Sequence, residues 1–185
     1  MISAIKAYAI AKDFGFTQNK QCGPASLFYK PLDHDNYLGV LLYAVGKKES
    51  KVVHFGFGNT AVEEFKSKVF NIPKNLIQEL TYYINLSPYM INQQAFIGFL
   101  SNTNFNVVAN ECLTALKKSE TPKYFDLMSE AAKELVVFDA LILAILENGV
   151  LSSEEILRTV ESETNFSSKQ LSFMFQKLKS YLASE

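Results

Sequence analysis

The sequence predicts an α+β protein: an N-terminal helix and a three-stranded antiparallel meander, packed on a larger all-helical C-terminal part. Three observations carry this expectation. Between residues 25 and 58, three apolar or alternating runs are separated by short polar connectors. From residue 60 onward the apolar spacing changes from the two-residue period of strands to the 3.6-residue period of helices. Apolar residues make up 48% of the 185, enough to bury a core and too many for a disordered chain.

The elements follow in order. Residues 2–13 read as a helix with Ile2, Ile5, Tyr8 and Ala9 on its apolar face, and Gly15 is its stop signal. Thr17 to Pro24 reads as a turn-rich patch. The three strands are Ala25–Leu32, Tyr37–Val45 and Lys51–Gly58. Their connectors, 33–36 and 46–50, are too short for a crossover, so neighbouring strands run antiparallel. Such a meander leaves an open face that a helix has to cover. Helices are expected over 60–70, then on the stripe Leu76, Ile77, Leu80, Tyr83 and Ile84. Ser87-Pro88 opens another, to about Leu100; residues 105–118 form the next. Thr121-Pro122 opens a long helix that stops at Asn148-Gly149. Ser152 and Glu155 form a capping box, and Ser167 caps a last helix over 168–182. The boundary between the α+β part, 1–72, and the helical part, 73–185, falls within what reads as one unit.

The net charge of −1 gives no global pull toward nucleic acid or an anionic membrane. It is unevenly spread: residues 1–74 hold ten lysines and six acids (+4), residues 75–185 eight basic and thirteen acidic residues (−5), so the two parts differ in surface. Two lone cysteines, Cys22 and Cys112, fit a reducing compartment, and Lys6, Lys12 and Asp13 break any leader-like apolar run; a cytoplasmic protein is expected. The most apolar stretch, Leu135 to Leu146, falls short of the roughly 20 residues a membrane span needs. Asp139, inside it, is expected at the rim of the apolar stripe, because an isolated buried charge is too costly.

Gln21-Cys22-Gly23-Pro24-Ala25-Ser26-Leu27 resembles the nucleophile segment of papain-like and bacteriocin-leader cysteine peptidases. The resemblance implies a Cys22 thiolate at a helix start and an imidazole to deprotonate it; His54 is the candidate base. Pro31 departs from the pattern by stopping any helix early, and the only histidines, His34 and His54, stand nearer than the family's. The other reading is a Gly-Pro turn feeding a strand, and it is preferred. Asp33-His34-Asp35 presents three metal-ligand types in a row, but adjacent loop residues rarely converge on one ion, so a solvated turn and no metal is the expectation. His54 otherwise reads as a surface or sheet-edge histidine. Gly56-Phe57-Gly58-Asn59-Thr60 has the glycines of a phosphate loop without its Lys-Ser/Thr ending; Asn59 or Thr60 as a helix cap suffices, and no cofactor is expected.

Residues 139–183 are similar to the helical half of winged-helix transcription regulators, with Ser168–Lys179 in the recognition-helix place. Their net charge of −2 argues against DNA. Residues 3–60 resemble small bacterial α+β domains. The shared features are the step Phe14-Gly15-Phe16, the strand Leu27-Phe28-Tyr29-Lys30, the apolar strand Leu38 to Val45, and a third strand ending Phe55 to Gly58. Several such domains are immunity proteins, which neutralise toxins of neighbouring bacteria. The resemblance implies a non-enzymatic binding protein whose partner is a cognate toxin. The turns holding Asp33, His34, Asp35, Lys47 and Lys48 are the candidate contact residues. A transcription regulator and a Cys22-dependent thiol hydrolase are the alternatives.

Overall fold

The computed structural model describes residues 2–22, 25–33, 35–45, 49–71, 80–149, 158 and 169–184. They form an α+β fold around one antiparallel sheet of five strands in the order β1-β2-β3-β4-β5. Helix α1 (Ala4–Asp13) leads into β1 (Gln18–Cys22), β2 (Ala25–Pro31), β3 (Asn36–Val45) and β4 (Glu49–Asn59). Then come α2 (Thr60–Phe70), β5 (Tyr82–Asn85), α3 (Gln93–Asn102), α4 (Phe105–Lys117), α5 (Glu130–Asn148) and α6 (Lys169–Ser184). Short 3₁₀ turns lie between β5 and α3, at Ser87–Tyr89, and between α4 and α5, at Lys123–Phe125.

The three expected strands are present, each in register with the next; two further strands flank them. Residues 18–22 form a strand rather than a turn, pairing Gln18 with Tyr29 through Cys22 with Ala25. Polar Gln-Asn-Lys-Gln carries no apolar alternation, which is why β1 is invisible to a pattern search: an edge strand needs only one partner and can remain largely wet. On the other side, Tyr82–Asn85 pairs with His54–Phe57 as β5, so Tyr83 and Ile84 belong to a strand and not to the helix their spacing suggests. The C-terminal part is therefore not all helix. The rest of that expected helix, 72–79, and the capping-box helix at 152–163 lie outside the described residues, apart from Arg158.

Strand alternation splits the sheet into two faces. One carries Phe28, Leu38, Val40, Leu42, Phe55, Phe57 and Tyr82, all buried. Helices α1, α3 and α4 cover it through ring contacts: Tyr8 on Phe28, Phe99 on Phe55, and Phe105 on both Phe16 and Phe55. The other face carries a smaller cluster of Ala25, Leu27, Tyr37 and Leu41, closed by Leu80. The larger core is continuous from Ile2 to Leu182.

Helix α1 turns a different side inward from the expected one. Ser3 caps it, Ala7 and Ala11 are buried, and Ile5 is 83% exposed. The small alanines let the helix lie close to α3, and close packing decides the orientation over residue hydrophobicity. Gly15 ends the helix as expected, in the left-handed region at φ 95°.

Two buried charge clusters tie the second layer down. Glu63 on α2 accepts from the Tyr37 hydroxyl at 2.5 Å and from Lys20 Nζ of β1 at 3.0 Å. One turn on, buried Lys66 forms an ion pair with Asp139 Oδ1 of α5, and the Thr81 hydroxyl donates to Asp139 Oδ2 at 2.7 Å. Asp139 is 2% exposed, so the rim placement is corrected: the carboxylate is buried and paired. What the sequence hides is the partner, since Lys66 lies 73 positions away in a helix of unremarkable amphipathic pattern.

Candidate functional site

At the end of the sheet where β2 turns into β3, a cleft of about 600 Å³ opens between the hairpin and α4. Its size lies in the range of ligand pockets. The hairpin side supplies Asp33 and Asn36, and the floor includes Leu32, Phe57 and Leu113. The helix side is a stripe at i, i+3, i+4 and i+7: Asn106, Ala109, Asn110 and Leu113. Asp33 is the one charged group among these lining residues.

Hydrogen bonds tie the described residues of the hairpin side to one another and to α2. The Asn36 amide N–H donates to Asp33 O, and the Leu32 N–H to Asn36 O, at 3.2 and 2.8 Å. Asp35 sits in the left-handed region at φ 65°, a conformation that Asp tolerates in turns. Its carbonyl accepts from the Thr60 N–H at 2.9 Å, and its carboxylate lies 3.2 Å from the Thr60 hydroxyl. The turn is thereby clamped to the first residue of α2.

Asn59 extends the clamp, and it fixes the polarity of the cleft. As N-cap of α2 its Oδ1 accepts from the Val62 N–H at 3.0 Å, the capping role expected for this segment. Its Nδ2 must then point the other way, and it donates to Asn36 Oδ1 at 2.8 Å. Asn36 is 5% exposed, and its amide orientation is dictated by this chain: Oδ1 is taken, so Nδ2 is the free end. That Nδ2 has no hydrogen-bond acceptor among the described residues. An open donor on a residue lining a cleft marks a place where a ligand acceptor gains energy.

Of the candidate contact residues, Asp33 and Asp35 are exposed on the turn, but Asp35 is engaged with Thr60 and only Asp33 lines the cleft. His34, Lys47 and Lys48 lie outside the described residues. Asn106 and Asn110 were not singled out in the sequence. The available signal was two asparagines at i, i+4 inside a helix, where Asn is a poor helix former.

The two candidates Cys22 and His54 stand on separate strands. Cys22 ends β1 and begins no helix, while His54 lies in β4, three strands away across about 14 Å of sheet. His54 is also no edge residue: β4 runs between β3 and β5, and the half-buried imidazole stacks on Tyr83 with centroids 4.5 Å apart. Burial lowers its pKa below the ordinary 6.5. The folded state thus holds fewer protons than the unfolded chain once pH falls below 6.5, and stability declines from there toward the folded-state pKa. His54→Gln should flatten the fall in unfolding free energy between about pH 7 and pH 5, and the His54 ring resonance should titrate below 6.5 in the wild type. A midpoint at or above 6.5 would contradict the burial effect. The other thiol, Cys112, is buried, and burial raises its pKa, which keeps it protonated and unreactive. Among the described residues no three His, Cys, Asp or Glu side chains converge as a metal site, and no helix is long and apolar enough to cross a membrane.

The chain matches no family model, no curated protein and no solved structure.

Proposed function

We propose that this chain is a non-enzymatic binding protein, an immunity-type inhibitor whose partner is a bacterial toxin. The observation that carries the binding reading is the cleft beside Asp33. A hairpin clamped by Asp35–Thr60 and Asn36–Asn59 presents fixed polar groups around an apolar floor. Hydrogen bonds that hold a binding surface in place before its partner arrives reduce the entropy lost on binding. The toxin as partner rests on the resemblance of residues 3–60 to immunity domains.

The expected result is a gene beside this one whose product arrests bacterial growth, with growth restored when this chain is co-expressed and a stoichiometric complex on size exclusion. Asp33→Lys should weaken that complex by about tenfold or more through loss of an acceptor and reversal of a charge. A harmless neighbour, or arrest that persists with this chain in excess, would remove the toxin-inhibitor reading.

A further inference from the structure

We propose that the cleft between the β2–β3 turn and α4 recognises an extended peptide segment of the partner, with a backbone carbonyl on Asn36 Nδ2 and a lysine or arginine side chain on Asp33. This rests on the reading of the chain as a binding protein and names the chemistry its site selects.

The polarity of the lining groups drives the assignment. Asn36 Nδ2 is a donor left open by the chain Val62 N–H to Asn59 to Asn36, and Asn36 lines the cleft, so a ligand gains by offering it an acceptor. Asp33 is an exposed carboxylate on the same wall, so the ligand must offer a donor or cation nearby. Asn106 and Asn110 stand one helical turn apart on the facing wall, each able to donate and accept. A peptide chain alternates carbonyl acceptors and N–H donors, which side-chain amides pair with directly. Phosphate or carboxylate ligands do not fit: no cation lines the cleft among the described residues, and Asp33 would repel them. A bare cation does not fit either, because it leaves Asn36 unmet and faces its amide hydrogens. A carbonyl and a positive side chain on one ligand satisfy both ends, and the half-buried Leu32 and Leu113 take the aliphatic stem of the basic residue.

The test is a titration of the ¹⁵N-labelled full chain with acetyl-Ala-Arg-Ala-amide and with acetyl-Ala-Glu-Ala-amide. The arginine peptide should shift the amide signals of Asp33, Asn106 and Asn110 saturably, with a dissociation constant of about 1 mM. The glutamate peptide should bind about fivefold more weakly or worse, the effect of reversing one charge near a solvated carboxylate. Asp33→Asn, an exposed change that leaves the fold intact, should bring the two peptides to within about twofold of each other. Asn36→Asp keeps the acceptor for Asn59 and replaces the free donor by an acceptor, so it should weaken both peptides about tenfold. No saturable shift at the cleft with about 20 mM peptide, equal binding of both peptides, or an arginine preference that survives Asp33→Asn overturns the proposal. A toxin complex that forms while the peptides fail to bind sinks this inference alone. Peptide binding without any growth-arresting partner sinks the toxin reading alone.

Discussion

Replacing Asp139 with alanine is expected to destabilise the protein by about 3–5 kcal/mol, the usual cost of removing one partner from a buried ion pair. The carboxylate meets both the Lys66 ammonium and the Thr81 hydroxyl in this interior position. Lys66 is itself 3% exposed, so the alanine variant leaves an ammonium in the core with its nearest counter-charge gone. The same change strips Thr81, at the start of β5, of its acceptor. A globular chain has about 5–15 kcal/mol of net stability, so a loss of this size is a third of it or more. Lys66→Met with Asp139→Leu should recover most of the loss, because two apolar side chains of similar volume leave no charge unpaired. Urea denaturation of the two variants beside the wild type measures the difference. A cost below about 1 kcal/mol for Asp139→Ala would mean that water reaches the pair and that it behaves as a surface bridge.

The same residues mark what the sequence can and cannot disclose. Alternation and short polar connectors are local properties, and they located β2, β3 and β4 within a residue or two at most ends. Helix caps are local too: Asn59 and Gly15 act as expected. Strands at the flanks of the sheet are decided by neighbours. Polar β1 has no pattern of its own, and Tyr82–Asn85 follows a stripe that fits a helix until β4 supplies the ladder. Long-range pairing is likewise silent: nothing near Asp139 announces Lys66, and nothing near Asn36 announces Asn59. At the site, Asp33 was legible as a polar turn residue. The free donor on Asn36 was not, because it follows from a hydrogen-bond chain that starts at the cap of another element.

Gly56→Ala is the second substitution with a large expected effect, about 3 kcal/mol or more, and it explains glycines that resemble a phosphate loop in sequence. A Cβ at Gly56 would stand 1.9 Å from the carbonyl oxygen of Tyr82 and 2.9 Å from its carbonyl carbon. Both are backbone atoms of the neighbouring strand, so no rotamer change relieves the clash and β5 must move away from β4. Gly56 is required for close approach of two strands, one of the established uses of glycine inside a sheet. Moving β5 has consequences on both sides. Tyr82 donates its hydroxyl to Glu120 O at 2.5 Å and stacks on Phe125, and Thr81 holds Asp139 while its N–H donates to Phe57 O at 2.8 Å. Because the glycine and the aspartate both act through residues 81–82, the double variant Gly56→Ala/Asp139→Ala should cost less than the sum of the singles. Amide exchange supplies the independent readout: the N–H groups that pair β5 with β4 should exchange faster in Gly56→Ala while those of β2 and β3 keep most of their protection. Unchanged exchange at β5 together with a loss below about 1 kcal/mol would show that the two strands do not approach as closely as the glycine implies.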